Sequence, residues 1–264
     1  MNKLIFCDVD GTIVDGSRRM NDVSDLTRYA IKELKKNDHI IISSGRCMDL
    51  MDDEIISLKP SGYILCNGAY ACVDDKDIYS VYFRQEEVDK IREVVNKYDG
   101  FAIFETLNET YVDSLESRPF LEFMNCWGKA LTGFREGRDP DDRYLIAMIG
   151  FSDRNVMPHV ERELKDYADL AAHMQYSSCD VNIRGINKGY GVKKIIEYLN
   201  VPLEDTYAFG DGINDLEMLQ SVGHPIIMAN CNDELRPFGF EETADVLDDG
   251  FYKYLTENGL IKAI

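Results

Sequence analysis

The feature that most constrains the fold is an alternation of two patterns along the 264-residue chain. Short apolar runs bounded by turn residues, such as KLIFC (3–7) and HIIIS (39–43), alternate with segments whose apolar residues recur every three or four positions. The segment 22–37 is of the second kind. Such alternation is typical of βαβ units, in which helices connect parallel strands. The sequence therefore predicts an α/β fold with a Rossmann-like, largely parallel sheet.

These patterns place the elements of the sheet in two separated parts of the chain. Strands are predicted over 3–7, 39–43, 63–66, 206–210, 224–228 and 244–247. Helices are predicted over 22–37, 47–58, 188–199, 214–221, 232–237 and 249–258. A hairpin is predicted over 69–83, where DDKD separates two runs rich in Tyr, Val and Ile.

Residues 84–183 follow a different pattern. Helices are predicted over 85–98, 116–125 and 153–168, mixed with strands near FAIFET and ETYVD and with two strands at the end of the segment. We therefore predict a separate α+β domain over 84–183, inserted into a discontinuous domain formed by 1–83 and 184–264. Each part has an ordinary domain size.

The charge and the cysteines limit the classes of partner and compartment. Lys and Arg number 29 against 48 Asp and Glu, a formal net charge of −19. A field of that sign repels nucleic acid and anionic membrane surfaces, so we expect neither as a partner. Seven cysteines stand singly, which indicates neither a disulfide framework nor a zinc site. The first apolar run is too short for a signal peptide, so we expect a cytoplasmic protein; the sequence indicates no oligomeric state.

Four polar clusters carry the candidate chemistry, and three of them follow predicted strands. The clusters are DVDGT (8–12), SSGR (43–46), Lys188 in GINKG (185–189), and GDGIND (210–215). In open α/β sheets the functional crevice lies beyond the carboxyl ends of the strands. We therefore expect the clusters to meet at one edge of the sheet.

Each cluster also has a purely structural explanation. Asp-Gly pairs are common in turns, Ser44 could cap a helix, and a lysine near a helix start is usually solvated. Alternatively, the Ser44 hydroxyl and the N–H groups at the start of the next helix would suit an anion. GDGIND is more specific, since it does not match a calcium loop and few turns need two acids, an amide and two glycines.

In this order the four clusters resemble the four motifs of the haloacid dehalogenase superfamily of phosphotransferases. LCNGA (65–69), GINKG and ELRPF…ADVLDDGF (234–251) further resemble the Cof-type subfamily of cap-bearing hydrolases. In the insert, the resemblance covers position and length only. It implies a Mg²⁺-dependent phosphatase that hydrolyses a small phosphate monoester, such as a sugar phosphate, through an aspartyl-phosphate intermediate. It also implies that 84–183 is the cap.

The resemblance implies a role for each residue of the site. Asp8 would be the nucleophile, and Asp10 the general acid and base. The Mg²⁺ ligands would be Asp8, the Asp10 backbone carbonyl and Asp211. The groups that hold the phosphoryl oxygens would be the Val9 N–H, Ser44, Gly45, Lys188 and Asn214. Thr12 would support the loop, and Asp215 would orient the metal ligands or Lys188.

Two other functions are compatible with the same motifs. A phosphohexomutase of the superfamily would return the phosphoryl group to a hexose. A phospho-accepting regulatory module would use Asp8 only as a receiver, without turnover, and would need neither Asp10 as an acid nor an inserted domain. The second carboxylate at Asp10 favours a hydrolase, because the related ATPases carry Thr at that position.

Overall fold

The chain forms two compact units. The computed structural model describes residues 2–127, 133–173 and 177–264. Unit 1 comprises Met1–Arg46, Leu50–Tyr79 and Asn187–Ile264, and unit 2 comprises Cys47–Asp49 and Ser80–Ile186. The functional division into a catalytic domain (1–83 and 184–264) and a cap (84–183) stays a prediction.

The helices and strands lie mostly where the sequence patterns place them. The strands are β1 (Leu4–Cys7), β2 (His39–Ser43), β3 (Gly62–Leu65), β4 (Tyr70–Val73), β5 (Lys76–Ser80), β6 (Gly100–Glu105), β7 (Thr110–Val112), β8 (Phe134–Glu136), β9 (Ile146–Phe151), β10 (Ala168–Ala172), β11 (Ser178–Ile183), β12 (Thr206–Gly210), β13 (His224–Met228) and β14 (Glu241–Thr243). The α-helices are α1 (Asp25–Leu34), α2 (Asp53–Ser57), α3 (Gln85–Lys97), α4 (Arg118–Trp127), α5 (Met157–Leu164), α6 (Lys188–Leu199), α7 (Leu216–Leu219) and α8 (Gly250–Glu257). Within the described residues, no helix combines the length and apolar character needed to cross a bilayer.

Unit 1 is built on a sheet with the strand order β14-β13-β12-β1-β2-β3-β4-β5. The strands from β14 to β3 run parallel, and β4 pairs antiparallel with β3. This arrangement confirms the predicted α/β fold. Because β1 lies between β12 and β2, the segments that follow these three strands emerge side by side at one edge of the sheet.

Strand β1 is central because its sequence, LIFC, can be buried on both faces. All four of its side chains are fully buried, and Leu4 and Phe6 belong to the main core cluster, which also includes Val192 and Ile195 of α6. Near-continuous apolar strands are what a parallel sheet covered on both faces requires. The polar residues that follow Cys7 therefore start from a rigid support.

The predicted hairpin over 69–83 corresponds to β4 and β5. Its turn residues Asp74 and Asp75 both have left-handed backbones, with φ of 50° and 59°. Two consecutive left-handed residues match the right-handed twist of a tight hairpin, and Asp tolerates that conformation. The turn signal read from DDKD is thus located at its first two residues.

Unit 2 contains a sheet with the order β10-β11-β9-β6-β7-β8. Helix α4 packs against one face through Phe120, Phe123 and Met124, which cluster with Phe101 and Ile103 of β6. Helices α3 and α5 each bury one apolar side. This mixture of antiparallel pairs and helices matches the α+β pattern read from the sequence.

One predicted strand is wrong. The segment 244–247 (ADVL) does not form a strand; instead, Val246–Asp248 form a 3-10 turn and the sheet ends at β14. The Asp245 side chain accepts a hydrogen bond from the Leu247 N–H at 2.8 Å, which caps this turn. The hydrogen bond from this carboxylate thus stabilises a turn in a segment whose apolar residues predict a strand.

Predicted helices are shorter where other hydrogen bonds intervene. Of the helix predicted over 47–58, only α2 and the 3-10 turn Met48–Leu50 form. The N–H groups of Met48 and Asp49 both donate to the Leu107 carbonyl, at 3.0 and 3.3 Å, and are lost to a helix. Helices α5 and α7 likewise begin after 3-10 turns and end earlier than predicted.

Candidate active site

The centre of the site is a buried lysine between two carboxylates. Lys188 Nζ lies 2.6 Å from Asp8 Oδ1 and 2.6 Å from Asp215 Oδ1, and its side chain is 1% exposed. Asp8 follows β1, where its N–H donates to the Phe209 carbonyl of β12 at 3.0 Å. Lys188 opens α6, where the Asn187 side chain caps the helix. Residues 180 positions apart in sequence are thus brought into direct contact.

The loop after β12 holds the second acidic group. Asp215 Oδ2 accepts the backbone N–H groups of Asp211 and Gly212 at 3.0 and 2.9 Å, so both of its oxygens are bonded. Thr12 Oγ1 donates to Asp211 Oδ1 at 3.0 Å and links this loop to DVDGT. The predicted supporting residue Thr12 therefore contacts the carboxylate that was predicted as a metal ligand.

Gly11 is required where these two loops approach each other. Its φ is +88°, and a Cβ at this position would collide with the Asp211 carboxylate. Any larger residue would combine backbone strain with a steric clash. The glycine therefore lets an acid from β12 lie against the turn that follows β1.

Three carboxylates converge closely enough to share one cation. One oxygen from each of Asp8, Asp211 and Asp215 lies within 4.8 Å of the others. With Lys188 as the neighbouring cation, the four side chains carry a formal charge of −3 + 1 = −2. A cluster of oxygen ligands with this charge fits Mg²⁺, a hard divalent cation.

The pKa values of the acids reflect their burial and, after it, this concentration of negative charge. Burial, followed by the Asp215 carboxylate, raises the pKa of Asp8 well above its usual range, although Lys188 opposes the shift. Burial and Asp215 also raise the pKa of Asp211 to about 7, against the hydrogen bond from Thr12. For Lys188, burial lowers the pKa, but Asp215 and Asp8 outweigh it and raise the pKa overall. A bound divalent cation would favour the ionised form of both acids.

Asp10 makes a different contact. Its side chain is 54% exposed, and both of its oxygens accept hydrogen bonds from Arg46, at 2.6 Å from Nη2 and 3.1 Å from Nε. Arg46 Nη1 also lies 2.5 Å from Asp52 Oδ2. Arg46 belongs to the SSGR motif, but the sequence predicts no role for it. The sequence signal for this contact is the position of Arg46 directly after Gly45, because a cation just beyond the end of β2 can reach an acid just beyond the end of the neighbouring strand β1.

The loop after β2 differs from the predicted anion cradle. No α-helix begins at Gly45, because the next one is α2, so the expected helix N-terminus beside Ser44 is wrong. Ser44 is buried, its hydroxyl accepts the Arg46 N–H at 3.2 Å, and its own N–H donates to Ile64 at 2.8 Å. A Cβ at Gly45 would lie 2.9 Å from Asn67 Oδ1, so Asn67 of LCNGA packs against this loop.

The other two predicted site residues, Val9 and Asn214, differ in burial. Val9 is fully buried, and its carbonyl accepts the N–H groups of Thr12, Ile13 and Val14 at 3.0 to 3.3 Å, which closes the DVDGT turn. Asn214 is exposed, on the 3-10 turn that carries Asp215. Lys188 thus bonds both Asp8 and Asp215, whereas Asn214 lies at the rim.

Comparison with known proteins identifies the family. A model of the haloacid dehalogenase-like hydrolases matches residues 5–255, and the chain belongs to this family. The prediction of a haloacid dehalogenase-type enzyme is therefore confirmed.

Relatives extend over the whole chain. It is 29% identical to the Bacillus subtilis protein YkrA over 269 residues, which cover 99% of each chain. It is 25% identical over 266 residues, 96% of each chain, to a Bacillus subtilis protein named 5-amino-6-(5-phospho-D-ribitylamino)uracil phosphatase YitU.

Solved structures show the same fold. The phosphatase BT1666 from Bacteroides thetaiotaomicron has a TM-score of 0.84 at 23% identity, with 99% of this chain and 96% of that chain covered. The subclass IIB sugar phosphatase BT4131 has a TM-score of 0.81 at 23% identity, with 98% and 100% covered.

Proposed function

We propose that this hydrolase is a Mg²⁺-dependent phosphatase that removes the phosphoryl group from a small phosphate monoester, such as a sugar phosphate. The observation that carries the proposal is the buried contact of Lys188 with both Asp8 and Asp215, beside the Asp211 carboxylate. This arrangement concentrates a nucleophile, a cation and a set of metal ligands at one point. The relatives named as phosphatases support the same reaction.

The proposed nucleophile is the Asp8 oxygen that does not contact Lys188. Its attack forms a bond to phosphorus as the ester P–O bond breaks, and the protonated Asp10 side chain gives its proton to the leaving alkoxide. In the second step Asp10 takes a proton from water as the water oxygen attacks phosphorus. The bond from phosphorus to Asp8 then breaks, which releases inorganic phosphate and restores the Asp8 carboxylate.

Arg46 has a direct bearing on this proton transfer. In the structure it donates hydrogen bonds to both carboxylate oxygens of Asp10, so both oxygens are occupied by Arg46. Asp10 has to leave Arg46 before it can carry a proton to the alkoxide. The large exposed fraction of the Asp10 side chain permits such a rotation.

The remaining residues neutralise and hold the phosphoryl group. Mg²⁺ would be held by Asp8, Asp211 and the Asp10 backbone carbonyl. The Asp215 side chain fixes Lys188 and the N–H groups of Asp211 and Gly212, and its own N–H bonds the Gly212 carbonyl. When bound, Mg²⁺ supplies positive charge that offsets the repulsion between a carboxylate and a phosphate dianion. The proposed contacts of the phosphoryl oxygens are the Val9 N–H, Ser44, Gly45, Lys188 and Asn214. We propose that residues 84–183 act as the cap that selects the leaving group.

Hydrolysis of p-nitrophenyl phosphate tests the proposal. The wild-type protein should release nitrophenol only with Mg²⁺, and Asp8→Asn should reduce kcat at least about 10³-fold, because the amide cannot form the intermediate. Asp22→Asn, which changes an exposed acid of the same unit, is the matched control and should retain wild-type kcat. Full activity in Asp8→Asn would overturn the assignment of the nucleophile.

The two other functions give different results in the same assay series. A phosphohexomutase would convert a hexose phosphate into its isomer instead of releasing phosphate. A receiver module would accumulate phosphoprotein in an amount equal to the protein, without turnover. The exposed acid Asp10 beside the buried Asp8 favours turnover, since a receiver has no use for an acid and base.

A further inference from the structure

The segment after β13 is bonded to both loops that carry the proposed catalytic acids. Asn230 Nδ2 donates to the Gly11 carbonyl at 2.7 Å, in the turn after β1. The Asn232 N–H donates to the Asp211 carbonyl at 2.8 Å, in the loop after β12. Asn230 Oδ1 in turn accepts the Val246 N–H at 2.9 Å. The Asn230 side chain therefore connects the turn after β1 to the C-terminal part of unit 1.

These bonds fix a peptide that has little rigidity of its own. Glycine at a positive φ lacks the side chain that would restrict its backbone, so the orientation of Gly11 depends on its neighbours. Its N–H donates to the Val14 carbonyl at 2.7 Å, and its C=O accepts from Asn230. Both peptide planes that flank Gly11 are held in this way.

The orientation of these planes determines where the Asp10 carbonyl points. The Asp10 C=O and the Gly11 N–H belong to one planar peptide and point in opposite directions. A change in the backbone conformation of Gly11 would rotate this peptide and would therefore turn the Asp10 carbonyl. Asn230 also lines a cavity of about 540 Å³ together with Asp10, Gly11 and Asp211, so its side chain lies next to the proposed metal site.

We propose that Asn230 is a positioning residue, which fixes the Gly11 peptide so that the Asp10 backbone carbonyl is directed at the metal. The proposal rests on the function proposed above, because it assumes that this carbonyl is a ligand. Asn230 acts through Gly11 and touches neither substrate nor metal. Residues that orient ligands in this way typically affect metal affinity or activity about 10- to 100-fold when they are replaced.

A purely structural role of Asn230 makes a different prediction. If its amide only tied two segments together, its loss would lower the free energy of unfolding of unit 1. The folded fraction of such a variant would still bind Mg²⁺ with wild-type affinity and turn over at the wild-type rate. Metal affinity measured without substrate therefore separates the two roles.

The experiment compares Asn230→Ala, Asn230→Asp and the control Asn258→Ala with the wild-type protein. Asn258 Nδ2 donates to the Tyr254 carbonyl at 2.9 Å at the end of α8, so the control deletes the same kind of bond in the same unit. Mg²⁺ affinity is measured without substrate by isothermal titration calorimetry, and folding is measured by thermal unfolding. The values of kcat and KM are measured with p-nitrophenyl phosphate over a range of Mg²⁺ concentrations. We expect Asn230→Ala to bind Mg²⁺ about 10-fold more weakly and to lose kcat with little change in KM.

Asn230→Asp provides a second test if the alanine variant does not fold. It keeps the acceptor for Val246 but replaces the donor to Gly11 by an oxygen, which repels that carbonyl. Its added negative charge would by itself tighten cation binding, so a fall in Mg²⁺ affinity of about 10-fold can be assigned to the lost geometry.

The outcomes separate this proposal from the proposed function. Wild-type Mg²⁺ affinity and kcat in the folded Asn230 variants, or an equal loss in Asn258→Ala, would overturn the positioning role. A wild-type protein that binds Mg²⁺ but hydrolyses no phosphate ester would overturn the phosphatase. In that case weaker Mg²⁺ binding by Asn230→Ala would still support the positioning role.

Discussion

Two buried ionisable side chains, one in each unit, have opposite surroundings. In unit 1, Lys188 is buried between Asp8 and Asp215 at hydrogen-bonding distance, so opposite charges offset each other. In unit 2, Glu105 at the end of β6 is 8% exposed, and its Oε2 has no hydrogen-bond partner. Among the ion pairs of the described residues, none includes Glu105.

The difference shows in the pKa of the carboxyl group. Burial raises the pKa of Glu105 to about 7, with smaller contributions from the acids Asp180 and Asp49, while a bond from Cys47 opposes the shift. A carboxyl without a buried cation avoids its charge by taking up a proton. A lysine between two carboxylates instead keeps its charge, which is what the binding of a phosphate needs. Burial alone is therefore no evidence for a functional acid, and the opposite charge at an open strand end is the additional feature that supports the proposed site.

The largest effect should come from removing the buried cation. Lys188→Met keeps most of the side-chain volume but leaves two buried carboxylates without a counter-charge, so we expect a loss of about 3–5 kcal/mol in the free energy of unfolding. Activity should fall at least about 100-fold, because a cation at the phosphoryl group is lost. Chemical denaturation and p-nitrophenyl phosphate hydrolysis measure the two effects.

The control for this variant lies on the same helix. Lys194 is 43% exposed and pairs with Glu197, so Lys194→Met should change the free energy of unfolding by less than about 1 kcal/mol. Mg²⁺ should also restore part of the stability of Lys188→Met, since a divalent cation can offset the same carboxylates. A Lys188→Met protein as stable and active as Lys194→Met would show that the buried charge of Lys188 contributes to neither stability nor activity.

The next effect concerns the acid of unit 2. The pKa of Glu105 rises on folding from 4.5 to about 7, so between these pH values the folded protein binds more protons than the unfolded one. The free energy of unfolding should therefore decrease as pH rises through this range, by at most about 3 kcal/mol from this group. Glu105→Gln should remove that decrease and be more stable than wild type at pH 8. Thermal unfolding of both proteins from pH 4.5 to 8 tests the sign.

Glu116→Gln is the matched control for Glu105→Gln. Glu116 is exposed in the same unit, and its replacement should leave the pH profile of unfolding as it is in the wild type. If Glu105→Gln and the wild type show parallel profiles, then Glu105 is ionised in the folded state and a cation reaches it.

The smallest effect is expected for Arg46 and the two exposed acids that it contacts in unit 1. Arg46→Met removes the contacts with Asp10 and Asp52, whose side chains are 54% and 56% exposed, so the free energy of unfolding should change by less than about 1 kcal/mol. Differential scanning calorimetry gives this value. A decrease in the free energy of unfolding of more than about 2 kcal/mol would show that the contacts of Arg46 stabilise the protein as a buried ion pair does, contrary to this expectation.

The strands were the most predictable part of the fold, for a physical reason. The runs LIFC and HIIIS fill strands that are largely buried on both faces, and no other local structure hides three or four consecutive apolar residues so well. Helix ends were harder, because they depend on distant partners. Nothing near Met48 in sequence indicates that its N–H will bond to the Leu107 carbonyl.

The candidate site shows the same limit. The motifs could place Asp8, Lys188 and Asp211 at strand and helix ends, because parallel strands direct those ends to one edge. They could not indicate that Arg46 bonds Asp10, or that Asn230 reaches across β12 to Gly11. Those contacts depend on where side chains point in the folded structure, and the periodicity of a sequence does not predict these directions.

The segment Cys47–Asp49 makes unit 2 unsuitable as a simple exchangeable module. A chimaera that transplants Ser80–Ile186 as one continuous cassette would leave behind three residues that belong to it. The N–H groups of Met48 and Asp49 bond the Leu107 carbonyl, so the residues left behind would have to fit a foreign insert, only a few residues along the chain from Arg46 and its bond to Asp10. Recombination between relatives therefore has to move this short segment together with the insert, and its breakpoints cannot be chosen from the insert alone.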